Sequence, residues 1–161
     1  MSNIKVKAQY LKDFSFELPN APAIFKKNIT KSEIKLAVDI NANKVSDSNE
    51  YEVVLSIKSY AEIDETKEKS FICECSYAGV FELIDIEEKL LEQTLLIYCP
   101  NIIFPYVRRI MTHATLDGGF PPLMIEPIDF YTLYENRQKQ DTKQVPAGEE
   151  SKGVAAKTKA E

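Results

Sequence analysis

Apolar and polar residues alternate along four separate stretches of the chain. The first stretch runs from Ile4 to Leu18, with apolar residues at nearly all of its even positions. The others cover residues 34–41, 51–57 and 71–81, and polar loops separate the last three. A period of two predicts a β-strand with one buried face, because successive side chains in a strand point to opposite sides. Four such strands with hairpin-length links predict an antiparallel sheet with one covered and one wet face.

The hydrophobic period changes after Leu83. Leucines and other apolar residues recur at helical spacing up to Tyr98, and acidic residues occupy the first turn of this segment, where the helix dipole favours them. Pro100 is expected to interrupt the helix. A second helix over 101–116 is apolar around most of its circumference and ends at the sequence DGG.

The segment FPPLMIEP follows the second helix and predicts an irregular, proline-stiffened connector. A short amphipathic helix comes next, with Asp129 as its candidate N-cap. The predicted fold class is therefore α+β, a four-stranded antiparallel sheet with helices packed on one face. Residues 1–140 are expected to form one domain. Residues 141–161, rich in charge and without aromatics, are expected to be a disordered tail.

Charge and hydropathy restrict the functions that the chain can serve. Residues 1–134 carry 14 basic and 20 acidic side chains, a net charge of −6, which disfavours nucleic acid as a partner and favours a basic protein surface. No run of about 18 apolar residues is present, and the N-terminal sequence lacks the apolar segment of a secretory signal. We therefore expect a cytoplasmic protein that does not insert into membranes.

Candidate catalytic and metal-binding groups are few. The chain has one histidine, His113, without an evident partner, and no glycine-rich loop between a strand and a helix. Cys73 and Cys75 share a strand face, but the usual zinc spacing and partner histidines are missing, so core packing is favoured over metal binding. No enzymatic activity, metal or cofactor is expected.

The sequence has more apolar residues than the predicted sheet and helices can bury. Three helices on one sheet face cannot bury a helix that is apolar nearly all round together with the apolar residues of the irregular segments beside it. Two uses remain open for this surface. One is a symmetric subunit interface, and the other is a channel that holds other polypeptides, for which proline-stiffened aromatics and methionine are well suited.

Three blocks of the sequence resemble a known family. The segments CPNIIFPYVRR (99–109) and GGFPPLMIEPIDFYTLY (118–134), with YLKDFSFELPNAPAIF (10–25) before them, are similar to the signature of SecB, the bacterial protein-export chaperone family. The resemblance implies a homotetramer, built as a dimer of dimers with the long helices between the dimers. It also implies an ATP-independent holdase, which keeps unfolded preproteins translocation-competent in the cytosol and delivers them to the motor ATPase SecA.

The resemblance also assigns site residues. In the family, clients lie in apolar grooves formed by the main helix, the crossover after the first strand and the connector. The matching positions here are Phe25, Ile29, Ile102, Phe104, Tyr106, Phe120, Leu123 and Met124. The SecA-binding surface of the family corresponds to Asp13, Glu17, Ile72 and Glu74. Where the family often has a tryptophan, a few residues after the crossover phenylalanine, this chain has Ile29, which is also apolar but offers less aromatic area.

Two other functional classes compete with the chaperone hypothesis. A scaffold protein would use the apolar helix for subunit contacts alone and would bind no unfolded chain. A small-molecule-binding protein or enzyme would instead use an apolar cavity under the helices and would depend on His113.

Overall fold

The computed structural model describes residues 3–27 and 31–143, and within them one sheet and one layer of helices. The strands are β1 (Ile4–Glu17), β2 (Ser32–Lys44), β3 (Glu50–Ile63) and β4 (Lys69–Leu83). The helices are α1 (Glu88–Gln93), α2 (Cys99–Asp117) and α3 (Phe130–Lys143), with a π-helical turn (Thr94–Tyr98) between α1 and α2 and a 3-10 turn (Ala23–Lys26) after β1.

The four strands pair antiparallel in the order β1-β4-β3-β2, so β1 and β2 form the two edges. β2, β3 and β4 follow one another as hairpins, whereas β1 pairs with the far side of β4. The crossover from β1 to β2, residues 18–31, must therefore span about 14 Å, the width of three strand spacings. This topology carries the proline-rich segment from one edge of the sheet to the other.

The core lies between the sheet and the helices. Side chains on the helix-facing side of β3 and β4, such as Leu55, Ile57 and Phe81, are at most 1% exposed and pack against Ile103 and Met111 of α2. The opposite sheet face carries the charged residues of the same strands. The predicted fold class, a four-stranded antiparallel sheet with helices on one face, is confirmed.

Two β-bulges change the pattern expected for β1. Val6 lies opposite Phe81 and Ala8 lies opposite the next residue, Val80, so β1 has one residue more than β4 at this point. The same shift in pairing occurs between Leu11 and Asp13. Each bulge adds one residue and so exchanges the two faces of the strand. Ala8 and Tyr10 were expected on the same face as the apolar residues at both ends of the strand, but they lie on the opposite, charged face.

Pro100 does not interrupt the helix. The backbone is helical from Glu88 to Asp117, and both junctions of the π-helical turn keep right-handed helical dihedral angles. The Cys99 N–H bonds the Thr94 carbonyl five residues back, and the Asn101 side chain donates to the Ile97 carbonyl at 2.9 Å. We attribute the continuity to this wider turn, which relieves the clash that a proline ring makes in a regular α-helix.

The end of α2 and the start of α3 follow the sequence signals. α2 ends at Asp117, before the two glycines, and residues 118–129 form an irregular connector. The Asp129 carboxylate accepts hydrogen bonds from the Thr132 N–H at 3.0 Å and the Thr132 hydroxyl at 2.7 Å, which confirms the predicted N-cap.

The C-terminal helix extends past the expected domain boundary. α3 continues to Lys143, so residues 141–143, which were assigned to the tail, are helical. The rest of the expected tail, residues 144–161, lies outside the described residues. None of the described helices combines the length and the apolarity needed to span a membrane.

Candidate functional site

A chain of four phenylalanines joins the crossover, the sheet and the connector. The ring of Phe120 lies 5.4 Å from that of Phe25 in the crossover and 5.4 Å from that of Phe71 on β4. Phe71 in turn stacks on Phe16 of β1 at 5.9 Å. We call Phe16, Phe25, Phe71 and Phe120 the aromatic cluster. Phe25 is 53% exposed, so the cluster extends from the core to the surface.

Two glycines allow these rings to approach the start of the connector. A Cβ atom at Gly118 would lie 2.5 Å from the Phe16 ring, which is too close for any side chain. Gly119 has a φ of +83°, a left-handed conformation that favours glycine, and a Cβ there would lie 3.3 Å from Phe25. The GG pair therefore serves both the turn and the packing of the aromatic cluster.

Two threonines of α2 hold the backbone of the connector. The Thr115 hydroxyl accepts a hydrogen bond from the Leu123 N–H at 2.9 Å, and the Thr112 hydroxyl donates to the Leu123 carbonyl at 2.6 Å. Both backbone groups of Leu123 are thereby paired with one helix, although the connector has no regular structure. Sequence reasoning missed this role, because a threonine in a helix gives no signal of a partner eight or eleven residues away.

An open groove lies between the connector and the edge of the sheet. It has a volume of about 340 Å³, and its lining includes Ile34, Phe71, Phe120, Pro121 and Leu123. No described helix covers the inner face of β2 here, since Ile34 is 52% exposed on the edge strand. The groove therefore presents apolar side chains from both the sheet and the connector.

Ile34 and Leu36 were not among the predicted site residues. Their alternation with polar residues predicted a strand face, and burial of that face was the natural expectation. Leu36 is 43% exposed on the same inner face, because the helices stop short of this part of the edge strand. The exposure of an apolar face on an edge strand can be predicted only when the positions of the helices are known. The alternation within the strand does not contain this information.

The predicted client-binding residues do not form one surface within the chain. Phe25, Phe120, Leu123 and Met124 lie at the crossover and connector. Met124 is 65% exposed, whereas Leu123 is buried at 6% and is accessible only where it lines the groove. Tyr106 instead stacks on Tyr77 of β4 at 5.5 Å. Tyr77 lies six residues from Phe71 along β4, or about 20 Å away, so Tyr106 belongs to a second region.

Phe104, a predicted client-binding residue, is buried within the helix layer. Phe104 was expected to offer apolar area, but it is 6% exposed, packed edge-on to Phe130 at 6.1 Å and beneath the Arg108 guanidinium. It therefore supports the helix layer from inside. Ile29 lies outside the described residues.

The second region is a stripe of partly exposed apolar residues along α2 and the π-helical turn before it. Tyr98, Ile102, Tyr106 and Leu116 are 36–58% exposed, and we call these four residues the helix stripe. A cavity of about 420 Å³ beside α2 is lined by apolar residues of β1, Leu11 and Phe14, together with His113 and other residues of the helix. The helix-facing side of the β1 edge strand is thus also partly uncovered.

The four residues assigned to the proposed SecA surface share one face of the sheet. In the register of β1 and β4, Glu17 lies opposite Ile72 and Ser15 opposite Glu74. Asp13 and Glu17 are each two residues from Ser15, so both flank the position opposite Glu74. We call Asp13, Glu17, Ile72 and Glu74 the acidic patch. The alternation along each strand predicts which residues share a face, and the register shows that the two pairs lie side by side.

The carboxylates of this face differ in their partners. Glu74 forms an ion pair of 2.6 Å with Lys58, which lies directly opposite it on β3. Asp13 and Glu17 form no ion pair within residues 3–27 and 31–143. Elsewhere on the face, lysines of β1 contact Glu50, Glu52 and Glu82.

Glu52 lies on the same sheet face as these carboxylates but belongs to a separate network. It accepts hydrogen bonds from Lys12, at 2.7 Å, and from the Tyr10 hydroxyl. The bond from Lys12, with that from Tyr10, lowers the pKa of the Glu52 carboxyl, and the bond to Glu52 raises the pKa of Tyr10 to about 12. Lys12 is the extra residue of the second bulge in β1, so the bulge aims its ammonium group at this carboxylate.

The three cysteines are buried in the core. Cys73, Cys75 and Cys99 are at most 1% exposed, and all three thiols are free. Burial raises the pKa of Cys73 to about 11 and those of Cys75 and Cys99 to about 12. The prediction that Cys73 and Cys75 pack as small core residues is confirmed.

An open apolar groove at one end of a sheet, with carboxylates on its opposite face, is typical of a protein that contacts other polypeptide chains. The chain belongs to the SecB family, since the family model described as preprotein translocase subunit SecB matches residues 1–141.

Curated relatives agree with the family model over nearly the whole chain. A protein-export protein SecB of Rickettsia typhi is 44% identical over 140 residues, which cover 87% of this chain and 91% of that protein. One of Rhodopseudomonas palustris (strain BisB5) is 41% identical over 141 residues, covering 88% and 87%. One of Maricaulis maris is 43% identical over 150 residues, covering 93% and 85%.

A solved structure also has the same fold. It is the SecB-like chaperone of Mycobacterium tuberculosis in complex with a peptide from an antitoxin, with a TM-score of 0.64 and 14% sequence identity. The match covers 78% of this chain and 91% of that chain. At this identity the likeness concerns the fold alone.

Proposed function

We propose that the chain is an ATP-independent holdase of protein export. It binds unfolded preproteins in the cytosol, keeps them translocation-competent and delivers them to the motor ATPase SecA. The observation that carries the proposal, given the family, is the open apolar groove, with exposed Phe25, Ile34 and Met124 around it. An exposed apolar surface of this kind costs solubility unless a partner uses it.

The groove suits clients of many sequences. Pro121 and Pro122 stiffen the connector, and the hydrogen bonds from α2 fix Leu123, so this wall loses little conformational entropy when a client binds. Met124 is flexible and polarisable and adapts to different side chains. Binding through apolar area without a fixed pattern of polar contacts selects for unfolded chains rather than for one sequence.

The proposal is tested by an aggregation assay without nucleotide. A chemically unfolded preprotein is diluted into buffer with or without the purified full-length chain, and light scattering is followed. We expect suppression of scattering at near-stoichiometric amounts, with no change on addition of ATP. Unchanged aggregation at a large excess of the chain would contradict holdase activity and favour a scaffold.

For delivery, we propose that the acidic patch docks SecA. Asp13 and Glu17 carry charges without an ion pair in the described part of the chain, and Ile72 supplies an apolar centre beside them. Each exposed contact contributes about 1 kcal/mol or less, so several must act together, and the complex should weaken with salt. The double variant Asp13→Lys/Glu74→Lys should abolish SecA binding at low salt and leave client protection intact; an unchanged SecA affinity would refute the assignment.

We further propose that the chain assembles as a homotetramer, a dimer of dimers. The helix stripe and the uncovered inner side of β1 supply the apolar area for subunit contacts. Ile102→Lys should lower the mass measured by light scattering, whereas Val45→Lys, on a hairpin loop and 53% exposed, should leave it unchanged. A scaffold without client binding would assemble in the same way, so only the aggregation assay separates the two hypotheses.

A further inference from the structure

Lys58 occupies the position on β3 next to the acidic patch. Its ammonium group lies 2.6 Å from the Glu74 carboxylate, and Lys58 and Glu74 are direct cross-strand partners on the charged face. The hydrogen bond and charge of Glu74, followed by the charge of Glu17, raise the pKa of Lys58. One cation of the chain itself is therefore paired with one of the three carboxylates proposed to contact SecA.

The three carboxylates are consequently not equivalent. Asp13 and Glu17 form no ion pair in the part of the chain that the structure describes, whereas Glu74 is already engaged. Both members of the pair remain accessible, with 53% of the Lys58 side chain and 45% of the Glu74 side chain exposed. A cation of a docking partner that reaches Glu74 must replace the Lys58 ammonium group or share the carboxylate with it.

We propose that Lys58 is an intramolecular counter-ion that competes with the docking partner for Glu74 and so limits the affinity of the acidic patch. This inference rests on the proposed docking of SecA. A partner arginine is suited to win this competition, because a guanidinium binds a carboxylate through two hydrogen bonds, whereas the Lys58 ammonium is a single point charge. The pair thus favours partners that present arginine and discriminates against weakly basic surfaces.

Removing the Lys58 charge should tighten binding. In Lys58→Met, Glu74 is free to pair with the partner, and the repulsion between Lys58 and a basic partner is lost. We expect the dissociation constant for purified SecA to fall by about two- to fivefold at low salt, the range typical of one exposed ion pair. The gain should shrink as salt is added, because both effects are electrostatic.

A matched control separates this local competition from a change in net charge. Lys5 lies on the same sheet face, is exposed, and pairs with Glu82 at 3.8 Å. Glu82 is eight residues from Glu74 along β4, or about 26 Å away. Lys5→Met removes the same charge without freeing a carboxylate of the acidic patch, and we expect it to change SecA affinity by much less than Lys58→Met.

The experiment is a calorimetric titration of SecA into the full-length chain and into Lys58→Met, Lys5→Met, Glu74→Gln and the double variant Asp13→Lys/Glu74→Lys. Tighter binding by Lys58→Met alone, with weaker binding by Glu74→Gln, supports the proposal. If Glu74→Gln weakens binding but Lys58→Met leaves it unchanged or weaker, the acidic patch stands and the competition is refuted. An equal gain in both lysine variants also refutes it. If no variant, including Asp13→Lys/Glu74→Lys, changes binding, the docking site itself is wrong.

Discussion

The Thr115 hydroxyl accepts a hydrogen bond from the backbone N–H of Leu123 at 2.9 Å, and it does so from a position that is fully buried. A side chain of α2 thus supplies the hydrogen-bond acceptor that a neighbouring strand would supply in a sheet. The connector that forms one wall of the groove is held where it is by this contact and by the bond from Thr112.

Thr115→Val should therefore loosen the connector. Valine keeps the shape of threonine but leaves the Leu123 N–H buried without an acceptor, which costs about 1–3 kcal/mol. We expect a lower midpoint of urea unfolding and weaker client protection. Thr115→Ser retains the acceptor and is the control, so it should protect clients as the wild type does; an equal loss of client protection in Thr115→Ser would contradict the role given to the hydrogen bond.

Phe25→Glu should weaken client binding without affecting stability strongly. The ring is more than half exposed and contacts Phe120, so its loss removes apolar area that a client would cover. We expect roughly a tenfold loss of affinity for an unfolded preprotein, measured by fluorescence anisotropy. Val45→Glu is a matched control with the same 53% exposure on a hairpin loop. Normal affinity in Phe25→Glu would remove this residue from the groove.

Glu52 should contribute to loss of stability in acid. Its pKa is lower in the folded chain than its ordinary value of 4.5, so its stabilising effect is fully present above pH 4.5 and disappears as the pH falls through the folded-state pKa. The unfolding midpoint of Glu52→Gln should vary less with pH below 4.5 than that of the wild type. Parallel curves for the two proteins would contradict the coupling with Lys12 and Tyr10.

The three thiols should be inert in the native protein. A pKa of about 11 for Cys73 leaves on the order of one thiol in a thousand ionised at pH 8, and the thiolate is the reactive form. Ellman's reagent should label none of them in native buffer at pH 8 and all of them in guanidinium chloride. Rapid native labelling of one thiol would place it in a region that opens easily.

The sequence predicted those features whose signals are local. The strands follow from alternation within a few residues, and the Asp129 cap follows from residue type at the start of a helix. The continuity of the helix through Pro100 was missed, because it depends on a π-helical turn that forms before the proline.

Prediction of the candidate site was limited in the same way. The strand parity of Asp13, Glu17 and Glu74 was readable, but their adjacency required the register between β1 and β4. The exposure of Ile34 depends on where the helix layer stops over β2, a tertiary property that no local pattern of the strand records.

The two bulges of β1 allow this strand to lose a residue without turning over. Lys7 and Lys12 are the extra residues, and the residues on either side of each bulge already alternate regularly against β4. Loss of Lys7 or Lys12 would therefore convert a bulge into regular pairing and leave Val6, Phe14 and Phe16 on the helix-facing side. Loss of a residue elsewhere in the strand would turn one part of it over unless a bulge takes up the difference. Deletions in this strand should therefore be tolerated in evolution at the bulges and not away from them.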